Sequence, residues 1–328
     1  MALRTRFTER FKIEHPIVSA PMAFVAGGRL AAAVTSAGGL GLIGAGYGDT
    51  EWLEHEFPAA GNARVGCGFI TWSLARKPEL LDLVLAHAPA ALMLSFGEPA
   101  PFAAKIKRAG AALFCQVQTL AHARKAVAAG ADVIVAQGGE AGGHGGTRAT
   151  LTLTPEIADY LAGAAPDCLL LAAGGIADGR GLAAALLLGA DGVLIGSRLM
   201  ASAEALAPPD VIEAMLAADG DATVKTSVPD LVRGYDWPSG FSGRALKTRF
   251  IVDWHGREDA LLDPATKTAQ AERYWQALRA GNAEETGIFA GEAVGLIRDA
   301  PPAAATIAKM VTHAEHLLSG ASTFLAPR

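Results

Sequence analysis

Short hydrophobic runs rich in Val, Ile and Leu recur through the first part of the chain, each bounded by Gly or Pro. Within a run, consecutive residues are apolar, which is typical of strands buried on both faces in a parallel sheet covered by helices. The eight runs are 16–20, 40–45, 64–70, 91–96, 112–117, 132–137, 169–174 and 192–196. Segments compatible with helices separate them, so strands and helices alternate.

The segments between the runs carry helix boundaries of their own. After the fifth run, Thr119 is placed to cap a helix, and Gly130 stands where a left-handed C-terminal residue belongs. A strand followed by a helix, repeated eight times, closes as an α/β fold of the (βα)8 or TIM-barrel type, which we predict for this chain. A doubly wound sheet is the rival arrangement.

The pattern changes beyond residue 205. Residues 206–287 contain three of the five tryptophans, more charge, and no run typical of a buried parallel strand. We interpret this part as a smaller, mostly helical inserted segment, a lid or substrate segment, near the C-terminus. Residues 1–205 and 288–328 are expected to form the barrel.

Composition excludes several classes of protein. Of the 328 residues, 51% are hydrophobic and 19% charged, so the chain can bury a large core. The formal charge is −5, and no dense basic cluster indicates a nucleic-acid partner. No apolar stretch reaches the ~20 residues of a membrane-spanning helix, and the N-terminus lacks the apolar stretch of a signal peptide. We expect a cytoplasmic protein, without a membrane partner, that acts on a small molecule.

Glycines follow the last two runs at the positions where barrels bind phosphate. Gly174 and Gly175 follow the seventh run, and Gly196 and Ser197 follow the eighth. Glycine lets the backbone approach an anion closely, and the free N–H groups at a helix start bind phosphate. Tight turns without a ligand are the alternative. No Gly-x-Gly-x-x-Gly opens a helix after the first strand, so a Rossmann site is not indicated.

The segment after the sixth run is the most informative one. Residues 137–146 place His144 among six glycines, with Glu140 nearby. Ordering so many glycines costs conformational entropy, which argues against a purely structural role. A histidine can act there as a general base or acid, or donate a hydrogen bond to an anion. A structural hydrogen bond is the alternative, and no metal site is predicted because no further ligand stands at a suitable spacing.

Gln116 lies in an otherwise apolar strand. If its amide points into the barrel, it offers a donor and an acceptor to the edge of a flavin or another heterocycle, whereas a satisfied buried amide is the alternative. Isolated aromatic residues pack more often than they bind ligands, so no role is assigned to Trp72, Trp237, Trp254 and His255. The three cysteines lie far apart in apolar runs and are predicted to be core thiols.

The order of these motifs resembles that of the nitronate monooxygenase family, formerly called 2-nitropropane dioxygenases. The segments that carry the resemblance are 15–23, 33–41, 140–144, 173–180, 196–198 and 291–297. The resemblance implies a TIM barrel that holds FMN without a covalent bond. The flavin ring would lie at the barrel mouth, and its phosphate would lie on the loops after strands seven and eight.

The resemblance also implies roles for particular residues. His144 would be the active-site histidine, placed beside the substrate near the reactive flavin N5. The cofactor-binding residues would be Ala20, Pro21 and Met22 along the ring, Gln116 at its pyrimidine edge, Gly138 near the ring or ribityl chain, and Gly174, Gly175, Gly196 and Ser197 at the phosphate. Family members commonly show Gly-x-Asn after strand three, and residues 66–72 lack that amide. Ser197 and Glu292 stand where Thr and Gln are more usual.

The leading functional prediction is FMN-dependent oxidation of alkyl nitronates by O2 to a carbonyl compound and nitrite. His144 would hold the nitronate oxygens or remove the α-proton of a nitroalkane. One alternative is an NAD(P)H-dependent FMN reductase of quinones or enoyl thioesters in the same fold. Another is a barrel without redox chemistry that binds a sugar phosphate or acts as a lyase. A homodimer is compatible with so apolar a chain, but the sequence points to no face.

Overall fold

The computed structural model describes residues 3–321, so residues 1, 2 and 322–328 of the predicted barrel portion lie outside the described range. Eight parallel strands form the main sheet, and each begins and ends within two residues of its predicted run. They are β1 (Ile17–Ser19), β2 (Leu42–Gly44), β3 (Gly66–Ile70), β4 (Ala91–Ser95), β5 (Ala112–Val117), β6 (Val133–Gln137), β8 (Leu169–Ala173) and β9 (Gly192–Ile195); β7 (Gly143–Gly145) belongs to a second sheet.

The strand order shows a nearly closed barrel. Neighbouring strands follow the order β1-β9-β8-β6-β5-β4-β3-β2, and every pair is parallel. A parallel bridge between Val18 and Leu40 joins the two ends of the sheet, and the Leu42 N–H donates to Ser19 Oγ at 2.9 Å. The predicted TIM barrel is therefore confirmed. A doubly wound sheet is excluded because its strands would not follow one another in chain order.

Helices surround the barrel and are joined to it by short loops. The barrel helices are α1 (Arg6–Phe11), α2 (Gly28–Ser36), α3 (Thr50–Ala59), α4 (Thr71–Leu74), α5 (Leu80–Leu85), α6 (Ala100–Arg108), α7 (Leu120–Ala128), α8 (Thr150–Ala164), α9 (Gly179–Leu187), α10 (Ser197–Met200) and α15 (Ala303–Gly320). Helix α7 begins as predicted, because the Thr119 side chain accepts from the His122 N–H at 3.1 Å. The late helix α15 packs against α9 and α2.

Two hydrophobic layers lie on opposite faces of the strands. Side chains such as Phe114, Val135 and Leu171 fill the barrel interior. Their chain neighbours pack instead against the helices, as strand alternation requires. Helix α1 covers the N-terminal end of the barrel, where Phe7 lies 6.1 Å from Phe114 and Arg6 pairs with Asp191 at 2.8 Å. The opposite, C-terminal mouth is left for the loops that carry polar side chains.

Residues 206–287 form helices and two strands beside the C-terminal mouth. The elements are α11 (Pro209–Ala217), β10 (Thr223–Thr226), α12 (Val228–Arg233), β11 (Ser242–Leu246), α13 (Arg249–Trp254) and α14 (Pro264–Ala280), with short 3-10 helices at Gly220–Ala222, Glu258–Leu262 and Ala283–Glu285. A further 3-10 helix, Glu292–Leu296, follows this segment. Strand β11 pairs antiparallel with both β10 and β7. Of the helices within residues 3–321, none has the length and apolar character needed to cross a membrane.

Candidate active site

His144 lies in a strand, although the sequence predicted a loop there. Strand β7 pairs with β11, and His144 stands opposite Gly243. The Gln137 side chain donates to the His144 carbonyl at 2.9 Å, and Gln118 donates to Gln137 at 2.8 Å. The glycine-rich segment thus becomes ordered because its backbone finds partners in residues 206–287 and on the neighbouring strands.

Two cations from the antiparallel sheet also hold this segment. The Lys225 ammonium donates to the carbonyls of Gly145, at 2.9 Å, and Gly146. The Arg244 guanidinium donates to the Gly139 carbonyl at 3.0 Å. Burial lowers the pKa of Lys225, and Arg244 adds to the effect. Both side chains therefore serve the backbone around His144.

The His144 imidazole is paired with a buried carboxylate. His144 Nε2 lies 2.7 Å from Asp230 Oδ2, and Arg233 donates to the other carboxylate oxygen at 2.9 Å. His144 and Asp230 are 8% and 4% exposed. A carboxylate paired with Arg233 accepts, so Nε2 carries the proton and Nδ1 keeps its lone pair. The arrangement orients the ring and leaves Nδ1 to act as a hydrogen-bond acceptor or a base.

The environment keeps the imidazole neutral. Burial lowers the pKa of His144 below its ordinary value of 6.5, while the hydrogen bond to Asp230 and its charge act in the opposite direction. A neutral histidine beside a carboxylate can take up a proton on Nδ1, and the carboxylate then stabilises the imidazolium. This pair is therefore suited to general-base chemistry.

Aromatic side chains surround His144. Trp237 stacks on the imidazole, with ring centroids 3.4 Å apart and planes 5° apart. Phe289 lies 5.3 Å from His144, and Trp72 lies edge-on to Trp237 at 5.5 Å. The Trp237 indole N–H donates to the Tyr47 hydroxyl at 3.2 Å. These rings make an apolar wall around one polar pair.

The sequence assigned no role to two of these tryptophans, yet the structure places Trp72 and Trp237 in the site. Tyr47 was missed as well, and burial raises its pKa to about 12, so the hydroxyl stays protonated. Trp254 packs with the helices of residues 206–287, and His255 pairs with Glu258 at 3.3 Å, away from His144. No periodicity in the sequence distinguishes Trp72 and Trp237 from Trp254 and His255. Trp72 reaches the site because it directly follows β3, and Trp237 because the chain between α12 and β11 passes over the mouth.

The loops after β8 and β9 meet beside the site. Gly174 and Gly175 have φ angles of 103° and 72°, which favour glycine. A Cβ at Gly174 would lie 3.0 Å from the Gly138 carbonyl oxygen. Among residues 3–321, the Gly175 and Ser197 N–H groups donate no hydrogen bond. Free N–H groups after β8 and at the start of α10 are suited to an anion.

The loop after β1, which contains Ala20, Pro21 and Met22, lies against Gly196 and Gly68. The Ala20 N–H donates to the Ile195 carbonyl at 2.8 Å. A Cβ at Gly196 would lie 3.6 Å from Ala20 Cβ and 3.9 Å from Met22 Sδ. A Cβ at Gly68 would overlap the Pro21 ring. The structure thus brings Ala20, Pro21 and Met22 to the mouth.

Ser197 and Gln116 lie on different sides of the mouth. The Ser197 hydroxyl oxygen accepts from the Gly291 N–H at 2.9 Å, which leaves its O–H free to donate. Gln116 is half-buried and lies on the same face of β5 as Phe114, which packs in the barrel interior. By strand alternation its amide faces the lumen at the mouth, the orientation that the sequence argument required.

Glu140 caps a helix. Its carboxylate oxygens accept from the Thr150 N–H at 3.0 Å, at the first residue of α8. A negative charge at a helix N-terminus is favourable. Residues 3–321 contain no group of three or more His, Cys, Asp or Glu side chains suited to a metal ion. The carboxylate partner of His144 is Asp230, which no local motif in the sequence marked.

Fold and site together define a TIM-barrel enzyme with glycine-containing loops and a buried His–Asp pair at its C-terminal mouth. Residues 4–63 and 70–313 match the family described as Nitronate monooxygenase. The chain belongs to the nitronate monooxygenase family and is an oxidoreductase.

Relatives of the chain carry more than one activity in their names. It is 35% identical over 337 residues to nitronate monooxygenase npaC of Metarhizium robertsii, covering 92% of each chain. It is also 35% identical over 254 residues to (3aS,4S,5R,7aS)-5-hydroxy-7a-methyl-1-oxo-octahydro-1H-indene-4-carboxyl-CoA dehydrogenase of Mycobacterium tuberculosis, covering 76% of this chain and 68% of the relative. The solved structure of FabK from Thermotoga maritima superposes with a TM-score of 0.86 at 28% identity, over 98% of this chain and 100% of that one.

Proposed function

We propose that this protein binds FMN in the barrel mouth and oxidises alkyl nitronates with O2 to a carbonyl compound and nitrite. The observation that carries the proposal is the buried His144–Asp230 pair, 2.7 Å apart, in a chain of the nitronate monooxygenase family. The similarity to npaC, which is named a nitronate monooxygenase, supports the same activity.

The residues at the mouth fit FMN. The phosphate would be held by the backbone of Gly174, Gly175 and Gly196 and by the Ser197 hydroxyl, because these groups leave N–H and O–H donors exposed. Ala20, Pro21 and Met22 would line the ring, Gln116 would bond to its polar edge, and Gly138 would lie close to it. When bound, FMN supplies the group that takes electrons from the substrate and passes them to O2.

His144 would act on the nitro group or the carbon beside it. With a neutral nitroalkane, Nδ1 removes the α-proton, and Asp230 stabilises the resulting imidazolium. With a preformed nitronate, Nδ1 would first take up a proton and then donate a hydrogen bond to a nitronate oxygen. Trp237 covers one face of the imidazole and, with Phe289, excludes water from it. Residues 206–287 supply Asp230 and Trp237, and we propose that this segment is the substrate-side lid of a barrel formed by the rest.

A spectrum of the purified protein tests this function. The protein, reconstituted with FMN where needed, is mixed without oxygen with propyl nitronate, NADH or NADPH in turn. We expect the nitronate alone to bleach the flavin absorbance, and nitrite to accumulate when air is admitted. A protein that takes up no FMN, or a flavin that the nitronate does not bleach, would contradict the proposal.

A second function is favoured by the relative from Mycobacterium tuberculosis, which is named a carboxyl-CoA dehydrogenase. In that case the protein would be an NAD(P)H-dependent FMN reductase of quinones or enoyl thioesters. His144 would donate or position a proton, and residues 206–287 would cover the nicotinamide. Rapid anaerobic bleaching of the flavin absorbance by NADH or NADPH is the result that would favour the reductase function.

A further inference from the structure

A cavity of about 230 Å³ lies at the C-terminal ends of β4 and β5, next to α7, and Phe96 stands between it and His144. Its lining comes from the barrel and from residues 206–287 and includes Trp72, Leu94, Phe96, Gln116, Pro238 and Phe241. Gln116, which is proposed to bond to the polar edge of FMN, lies where this cavity meets the barrel mouth. The rest of the lining belongs neither to the glycine loops after β8 and β9 nor to the His144–Asp230 pair.

Phe96 is the wall that the cavity shares with the active site. Its ring lies 6.5 Å from His144 on one side and 5.3 Å from Phe241 on the other. The Phe96 backbone has a φ of 64°, a strained conformation for a residue with a bulky side chain. Such strain is retained when surrounding packing requires it, and it is concentrated at functional sites. Here it turns the aromatic ring between the cavity and the catalytic histidine.

The lining of the cavity is mostly apolar, and its polar members are the amides of Gln116 and Gln118 and the side chains of Glu98, His122 and Lys125. The Gln118 amide already donates to Gln137 at 2.8 Å. Trp72, Leu94 and Phe241 present rings or methyl groups to the cavity. Glu98 and Lys125, which also line it, are exposed and neutralise each other at 2.6 Å. Burial and the charge of Lys125 lower the pKa of His122, so that side chain is neutral as well. A hydrocarbon group suits this lining, whereas a carboxylate or phosphate does not.

The volume indicates the size of the group. A dry apolar cavity of about 150 Å³ in another protein accepts benzene, and this one measures about 230 Å³. The difference leaves room for two or three further atoms. A phenyl ring on a short linker therefore matches the cavity, while an ethyl group would leave most of it unfilled.

We propose that this cavity receives the hydrocarbon part of the substrate, and that the protein prefers aryl-substituted nitronates, such as that of 2-phenylnitroethane, over ethyl nitronate. The inference rests on the proposed nitronate oxidation. Because Pro238 and Phe241 belong to residues 206–287, this segment would set substrate preference in addition to positioning His144.

The test compares kcat/KM for the two nitronates through nitrite release. Burial of a phenyl ring predicts a preference for the aryl nitronate of about tenfold or more. Leu94→Phe fills the cavity and should reduce that ratio severalfold. Phe241→Trp, at a half-buried position in the loop before β11, narrows the cavity from the opposite side. It provides a second variant if Leu94→Phe does not fold. Leu187→Phe, at an exposed position on α9, is the matched control and should leave the ratio unchanged.

A binding measurement separates the two proposals. Saturation-transfer NMR with 2-phenylethanol, which carries the ring but no nitro group, should detect binding to the wild type and much weaker binding to Leu94→Phe. Nitrite release at equal kcat/KM from both nitronates would overturn the aryl preference and leave nitronate oxidation standing. Absence of nitrite from both, with 2-phenylethanol still bound, would overturn the oxidation and retain the cavity as an aryl site. Absence of binding as well would overturn both.

Discussion

His144 Nε2 lies 2.7 Å from the carboxylate of Asp230, a residue 86 positions further along the chain. Arg233, one turn beyond Asp230 in α12, holds the second carboxylate oxygen at 2.9 Å. Asp230 therefore links the imidazole of His144, which stacks on Trp237, to the guanidinium of Arg233. The relationship predicts separate consequences for catalysis, stability and pH dependence.

Replacement of His144 by Asn should abolish most turnover without loss of flavin. The imidazole supplies proton transfer, for which removal costs about 10²–10⁴ in rate, whereas the residues proposed to hold FMN lie on other loops. Nitrite release from a nitroalkane and the flavin absorbance per chain measure the two effects. His316→Asn, on the exposed side of α15, is the control. Normal turnover in His144→Asn would refute the catalytic role.

Replacement of Asp230 by Asn should reduce both turnover and stability. The buried Arg233 side chain would lose its ionised partner, and breaking such a pair costs about 3–5 kcal/mol. The free energy of unfolding in urea measures the loss. Adding Arg233→Met to Asp230→Asn removes the unpaired charge and should recover part of the stability, but not the turnover. If the single variant is as stable as the wild type, the ion pair contributes little to folding.

Turnover of neutral nitroalkanes should depend on pH through His144. Its pKa lies below 6.5 because of burial, so the base form predominates above that pH and is lost as the pH falls through the pKa. The rate should therefore be level above about pH 6.5 and decline below it. In Asp230→Asn the decline should move to lower pH, because Asp230 raises the His144 pKa.

A preformed nitronate provides the control for this profile. It needs no proton removal, so its kcat/KM should not decline over the same acidic range through loss of the base form. A decline of equal size with both substrates would show that His144 does not act as the base. The two profiles are measured by nitrite release in a single buffer series.

Replacement of Gly138 by Ala should destabilise the protein and lower its flavin content. A Cβ there would overlap Thr150 Oγ1 and crowd Glu140, both part of the cap of α8. Overpacking of this kind costs about 1–3 kcal/mol. Gly163→Ala, in α8, is the matched control, since a Cβ at Gly163 would have no neighbouring atom within 4 Å. This substitution should stabilise the protein by about 0.5–1 kcal/mol. Thermal unfolding and flavin absorbance distinguish the two variants, and equal behaviour of both would contradict the proposed close approach.

Much of the barrel was predictable because its signals are local. A strand buried on both faces must be apolar at consecutive positions, and a helix end needs a capping side chain or a residue such as Gly130. Cys67, Cys115 and Cys168 lie in such runs and are buried, as predicted. The second sheet was missed because β7 consists of Gly143, His144 and Gly145, which carry neither alternation nor β-branched side chains.

The sequence by itself determined the eight strands, the glycine loops after β8 and β9, and the unusual position of His144, since each depends on residues within a few positions of one another. Only the tertiary structure decided which carboxylate serves the histidine. Glu140, four residues away, caps α8, while Asp230 and Trp237 reach His144 from residues 206–287. Contacts of this kind arise where separate segments pack, and a contact between distant residues leaves no periodic pattern in the chain.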